Sequence, residues 1–150
     1  MTGSIKLLVF TSLLHHCLLP GSMSVFSDSF TVAAIDPEGK RFDRVSRALC
    51  ESSTNSKTHL TLDYHNQLFA LKIKDQFSVN IYLEEECDSS KLSNIDYAMN
   101  GMIFKIEQNG ENINTFISFG GLLALIKSDL AKQASSSSGK KVTATFKRIT

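Results

Sequence analysis

A chain of 150 residues, 42% of them hydrophobic, suits one domain with a real buried core and argues against disorder or a second domain. Sixteen Lys and Arg against fifteen Asp and Glu leave a net charge of +1, so the chain as a whole is no polyanion magnet and any nucleic-acid contact would need a local patch. Ten Phe and no Trp put the aromatic packing on phenylalanine, and Cys17, Cys50 and Cys87 have the spacing of neither a disulfide framework nor a zinc site.

Residues 1–22 differ in kind from the rest of the chain. Lys6 is the only Lys, Arg, Asp or Glu there, and an apolar run over 7–19, interrupted by His15 and His16, is too short to span a membrane. That is the outline of a secretory signal, with a small-x-small site at Ser22-Met23-Ser24. The opposing reading is an upstream extension with Met23 as the start, after which a strand pattern begins at once.

The stretch 25–35 reads as the first strand, with Phe26, Phe30 and Val32 of one parity and Asp28 among them. Asp36-Pro37-Glu38-Gly39 predicts a type I turn, with Pro37 presetting φ and Gly39 closing it. A second strand is expected over 41–51, bearing Arg44 and Arg47, then a polar loop. Residues 58–64 alternate, with Leu60, Leu62 and Tyr64 on one face and His59, Thr61 and Asp63 on the other. Residues 67–72 are expected to be extended. The strongest period-2 signal runs over 76–83, where Phe77, Val79, Ile81 and Leu83 share a face.

An acidic loop is expected over 84–94. The pattern resumes over 97–108, with Met102, Phe104 and Ile106 on one face. Asn109-Gly110 predicts a two-residue type I′ hairpin, since both central positions need φ > 0. A return strand comes next over 113–119, and Gly120-Gly121 breaks or sharply bends the chain before the apolar run 122–126. The best candidate for a short helix is 127–134; 135–139 is a flexible loop and 142–149 a closing strand. About eight strands with short connections predict an all-β fold, a small closed antiparallel barrel, with at most one short helix.

No catalytic apparatus is legible. His65 lies near Asp63, but no nucleophile signature accompanies the pair. Glu84-Glu85-Glu86 with Asp88 lacks the spacing of a calcium loop. No phosphate-binding fingerprint exists, so neither cofactor nor metal is expected. The basic cluster Lys40, Arg41, Arg44 and Arg47 fits a solvated face, a salt-bridged protein interface, or the groove of a single-strand-binding barrel.

Two segments exceed generic β pattern. One is Ile35-Asp36-Pro37-Glu38-Gly39-Lys40-Arg41-Phe42-Asp43-Arg44-Val45-Ser46-Arg47, preceded by Phe26-Ser27-Asp28-Ser29-Phe30. The other is Phe119-Gly120-Gly121-Leu122-Leu123, preceded by Tyr97-Ala98-Met99-Asn100-Gly101 and Phe104-Lys105-Ile106-Glu107. In order and spacing these closely resemble the small OB-like β-barrel subunit shared by eukaryotic nuclear RNA polymerases I, II and III, over residues 23–149.

The resemblance implies an eight-stranded antiparallel OB-like barrel, one domain over 23–150, and a non-catalytic structural subunit of DNA-directed RNA polymerases. It implies docking mainly on the largest subunit, beside other core subunits, with weak single-stranded nucleic-acid contact suggested for the fold. It also implies nuclear and nucleolar location, which favours Met23 as the functional start. Lys40, Arg44 and Arg47 with Phe119, Gly120, Gly121, Leu122 and Leu123 are the expected partner-binding residues. Asp36, Pro37, Gly39, Asn109 and Gly110 are expected to serve turns, and Phe42, Val45 and Leu122 the core. Three departures stand out: the acidic loop is short, Leu125 replaces a charged residue, and Asn100 stands where an aromatic is common. The rivals are a free single-strand-binding module and, if residues 1–22 are a signal, a secreted barrel.

Overall fold

The computed structural model describes residues 24–129 and 138–149. The leader-like stretch 1–22, Cys17 within it, and most of the predicted helix and flexible loop lie outside the described residues. The strands are β1 (Ser24–Ile35), β2 (Val45–Ser52), β3 (His59–His65), β4 (Gln76–Leu83), β5 (Tyr97–Asn109), β6 (Asn112–Phe119), β7 (Leu122–Asp129) and β8 (Lys141–Ile149). They close into one antiparallel barrel in the order β1-β2-β3-β7-β6-β5-β8-β4. Every strand has two neighbours, so no edge is left open to unwanted pairing.

The barrel forms because period-2 alternation delivers one apolar face per strand to a common interior. Phe30, Val32, Leu62, Tyr64, Phe77, Val79, Ile117, Ile126, Val142 and Phe146 are all but inaccessible to solvent. Asp28, which spoiled the pattern of β1, does point inward and is buried. Its carboxylate accepts from the Ser29 N–H at 2.8 Å, Ser52 Oγ at 2.7 Å and Thr54 Oγ1 at 2.8 Å. A buried charge is tolerable on those terms.

Several expectations are corrected. Residues 127–129 belong to β7, and among the described residues the only helical turns are the short ones at Glu84–Glu86 and Ser89–Leu92. Residues 67–72 are not a strand but a cap over one end of the barrel. Phe69 leaves that cap and enters the mouth, its ring stacked on Tyr97 at 5.4 Å and edge-on to Phe77 at 5.8 Å. Arg148 fastens the cap from β8: its guanidinium lies 5.0 Å from the Phe69 ring centre, donates to the Ala70 carbonyl and reaches Asp75 at 3.4 Å.

The hairpin turns also differ from expectation. Asn109 pairs with Asn112, so the two central residues are Gly110 and Glu111, and only Gly110 (φ 62°) has positive φ. That is the type II′ pattern, one residue further on than predicted. Phe119 pairs with Leu122, and Gly120 (φ 64°) and Gly121 (φ 105°) are both positive, so the type I′ requirement falls here instead.

Candidate functional site

The two distinctive segments meet on one side of the barrel. The first starts where β1 ends. Asp36, at φ 47°, is tied to β2 by one backbone and one side-chain hydrogen bond: its N–H donates to the Arg47 carbonyl at 2.8 Å, and its Oδ1 accepts from the Arg47 N–H at 2.9 Å. Gly39 N–H donates to the Asp36 carbonyl at 3.0 Å, closing the expected turn. Residues 40–44 then arch away from the wall, so β2 begins at Val45 and not at 41. Phe42 rides on the arch and is 66% exposed, contrary to the core role expected of it. A cleft of about 340 Å³ lies beneath, lined by Pro37, Phe42, Val45, Leu49, Arg47 and Asp63 among others.

Arg47 and Asp63 hold this region to the second segment. Arg47 Nε donates to Asp63 Oδ1 at 2.6 Å and Nη2 to Oδ2 at 3.0 Å, a bidentate charge-assisted pair. The same Oδ2 accepts from the Leu123 N–H at 3.1 Å. Asp63 is on the outward side of β3 yet only 8% exposed. The hydrogen bonds it donates to Asp63 hold the Arg47 guanidinium above its ordinary pKa. Arg47, expected as a free contact residue, therefore works mainly as a brace, with its side chain 46% exposed.

At the bend, Gly120 and Gly121 turn the chain, Phe119 is buried, Leu122 is half-buried and Leu123 is exposed. Gly101, in the stretch preceding this segment, has a separate reason. A Cβ there would lie 2.3 Å from the Ser118 carbonyl oxygen and 2.6 Å from Phe119 Cδ1. Only glycine lets β5 approach β6 so closely.

From Leu123 an apolar strip crosses the outer wall. The register sets Leu125 between Thr61 and Phe116, and Phe116 beside Lys105. Met102 and Phe104 are exposed at the far side, and the Phe104 ring lies 6.0 Å from Phe116. Met102 and Phe104 thus do not share a face with half-buried Ile106, because a bulge between Ile103 and Lys105 resets the alternation. The inward residues of that stretch are Met99 and Ile103. Sequence reasoning missed Asp63, Met102, Phe104 and Phe116 as surface determinants. Only the run of apolar residues on both parities of 102–106 carried a signal for it.

The remaining candidates separate from this surface. Lys40 and Arg44 are exposed on the arch, and the Arg44 carbonyl accepts from the Asn66 N–H at 2.9 Å, which ties it to the cap. His65 is not paired with Asp63; its Nδ1 accepts from the Gln67 and Leu68 N–H groups at 3.3 and 3.2 Å. Asn100 Oδ1 accepts from Thr143 Oγ1 at 2.7 Å. No cluster of three metal-ligating side chains exists among the described residues. Cys50 and Cys87 are free thiols, and burial pushes Cys50 up to about 12. The arrangement offers a braced contact surface.

Comparison with known proteins gives one family. The family model described as RNA polymerase Rpb8 matches residues 27–91 and 81–148. A Dictyostelium discoideum protein named DNA-directed RNA polymerases I, II, and III subunit rpabc3 is 35% identical over 119 residues, covering 70% of this chain and 83% of that relative. The Schizosaccharomyces pombe protein with the corresponding name, subunit RPABC3, is 34% identical over 108 residues, covering 71% and 83%. A Caenorhabditis briggsae protein carrying that name as probable is 28% identical over 123 residues, covering 70% and 82%.

Proposed function

The chain belongs to the RNA polymerase Rpb8 family, and on that footing we propose that it is a non-catalytic structural subunit of DNA-directed RNA polymerases I, II and III. It works in the nucleus, including the nucleolus. Its relatives are named as subunits of DNA-directed RNA polymerases I, II, and III, which supports this reading. It docks on the largest subunit through the wall that joins the Arg47 brace, the Leu123 bend and the apolar strip ending at Phe104. Gly120 and Gly121 shape the exposed bend on this wall, and Leu122 anchors it to the core.

One observation carries the docking surface: Asp63 ties Arg47 to the Leu123 backbone, so the two family segments form one braced patch beside exposed Leu123, Met102 and Phe104. Exposed apolar side chains in a contiguous strip mark interaction sites, and a preorganised surface lowers the cost of ordering on binding. The test is affinity purification of the tagged full chain from nuclear extract. Recovery of the largest subunits of all three polymerases is expected; recovery of none of them refutes the assignment.

A further inference from the structure

The capped end of the barrel carries a second surface, separate from the wall described above. Two loops build it: the arch 36–44 and the cap 66–75. Asn66 joins them, its N–H donating to the Arg44 carbonyl at 2.9 Å and its Nδ2 to the Asp43 carbonyl at 3.1 Å and Ser46 Oγ at 3.0 Å. The cap is pinned to β1 by Lys74 N–H to the Val32 carbonyl at 2.8 Å and Val32 N–H to the Asp75 carbonyl at 2.9 Å. Phe69 anchors it from inside. The two loops therefore present a single, fixed face.

Three large apolar side chains stand out from this face: Phe42 (66% exposed), Leu68 (68%) and Ile73 (58%). Around them are the exposed cations Lys40, Arg44, Lys72 and Lys74. None of these four heads has an ion-pair or hydrogen-bond partner among the described residues. The carboxylates at the same end are mostly engaged. Asp36 accepts from the Arg47 N–H, Asp75 from the Lys72 N–H and Arg148, Asp96 from the Arg148 N–H, and Glu38 lies 3.9 Å from Arg41. Asp36, Asp43 and Asp96 keep their charge, but none of them forms an ion pair with the four cation heads, and Asp36 and Asp96 are held instead by backbone N–H groups.

We infer that this end docks an acidic polypeptide segment that carries apolar side chains. Unpaired cations interleaved with exposed apolar groups complement such a segment in both charge and burial. A single nucleic-acid strand would need a series of aromatic platforms, and among the described residues Phe42 is the only exposed aromatic at this end, beside aliphatic Leu68 and Ile73. Lys74 is held at φ 79°, where a non-glycine residue is disfavoured. The pinned cap thus fixes the direction in which Ile73 and Lys74 are presented. Docking at this end is independent of the polymerase assignment.

The test is fluorescence anisotropy of the full chain with three probes: a labelled peptide alternating Glu or Asp with Leu and Phe, a labelled oligo-dT strand, and phosphatidylserine vesicles. Peptide binding that weakens with added salt, and weakens roughly tenfold in the Lys72→Glu/Lys74→Glu variant, is expected from two reversed surface charges. The Leu68→Ser/Ile73→Ser variant weakens it as well. Both variants alter exposed residues, and an unchanged thermal midpoint identifies them as folded; Lys40→Glu/Arg44→Glu serves as the second charge reversal. No peptide binding, binding indifferent to every variant, or tighter binding of the oligonucleotide or the vesicles overturns the inference.

Discussion

Arg47 and Asp63 face each other across β2 and β3 as register partners, and two hydrogen bonds of 2.6 and 3.0 Å join guanidinium to carboxylate on the outer wall. Asp63 Oδ2 is shared between the pair and another element, accepting from Arg47 Nη2 and from the Leu123 N–H of β7. It is therefore the point at which the arch, the barrel wall and the glycine bend become one body.

Removing the carboxylate tests that brace. Asp63→Ala leaves the Leu123 N–H without its acceptor, while Arg47 can turn to water, so a loss of about 1–2 kcal/mol is expected. Arg47→Ala costs less, because Asp63 keeps its bond to Leu123. Urea unfolding of the two single variants and the double variant reads this as a coupling energy of about 1 kcal/mol. Additive losses would mean that the pair contributes nothing of its own.

Gly101→Ala sets a Cβ against the Ser118 carbonyl oxygen and the Phe119 ring. The strands cannot separate there without disturbing the bulge, so destabilisation of about 2–3 kcal/mol is expected. Gly39→Ala meets no atom within 4 Å but must hold φ at 94°, which costs about 1 kcal/mol. Thermal melts of the two variants should rank them in that order.

Phe69→Ala removes the plug from the barrel mouth. The ring is almost wholly buried and touches Tyr64, Tyr97, Phe77 and Phe146, so a loss of about 3–5 kcal/mol is expected. Hydrogen exchange should show the cap amides, Lys74 among them, losing protection before the strands do.

How much of the fold and the contact wall was legible depends on how local each signal was. Alternation of apolar residues along a strand is local, so β4, β6 and the inward faces of β1 and β3 could be read directly. The bulge at Ile103 has no residue of its own to announce it, and without it Met102 and Phe104 fall on the wrong face. Asp63 looked like one polar residue on a solvent face, because its partner stands 16 residues earlier and its second donor 60 residues later. Phe69 sat in an apolar run that reads as extended, and only tertiary packing makes it a plug. Asn109-Gly110 signalled a hairpin correctly but misled about its centre by one residue.

The Cys50 thiol supplies a pH dependence. Its folded pKa is raised from 9.0 to about 12 by burial, so the folded state holds the proton more tightly than the unfolded state. The stability tied to the neutral thiol is fully present below pH 9 and is lost as pH rises towards 12, by about 4 kcal/mol at most. Cys50→Ala should flatten the fall in urea midpoint between pH 9 and 11. An unchanged slope would assign the dependence elsewhere. At neutral pH native Cys50 should resist alkylation while Cys87, half-buried and free, reacts first.

The docking wall is tested most directly by site-specific photocrosslinking in nuclear extract, with the crosslinker placed in the full chain at Leu123 or, as a control, at Glu85 on the acidic turn. Docking through this wall predicts an adduct with the largest polymerase subunit from Leu123 and none from Glu85. The absence of that adduct from Leu123, or its appearance from Glu85 alone, would contradict it.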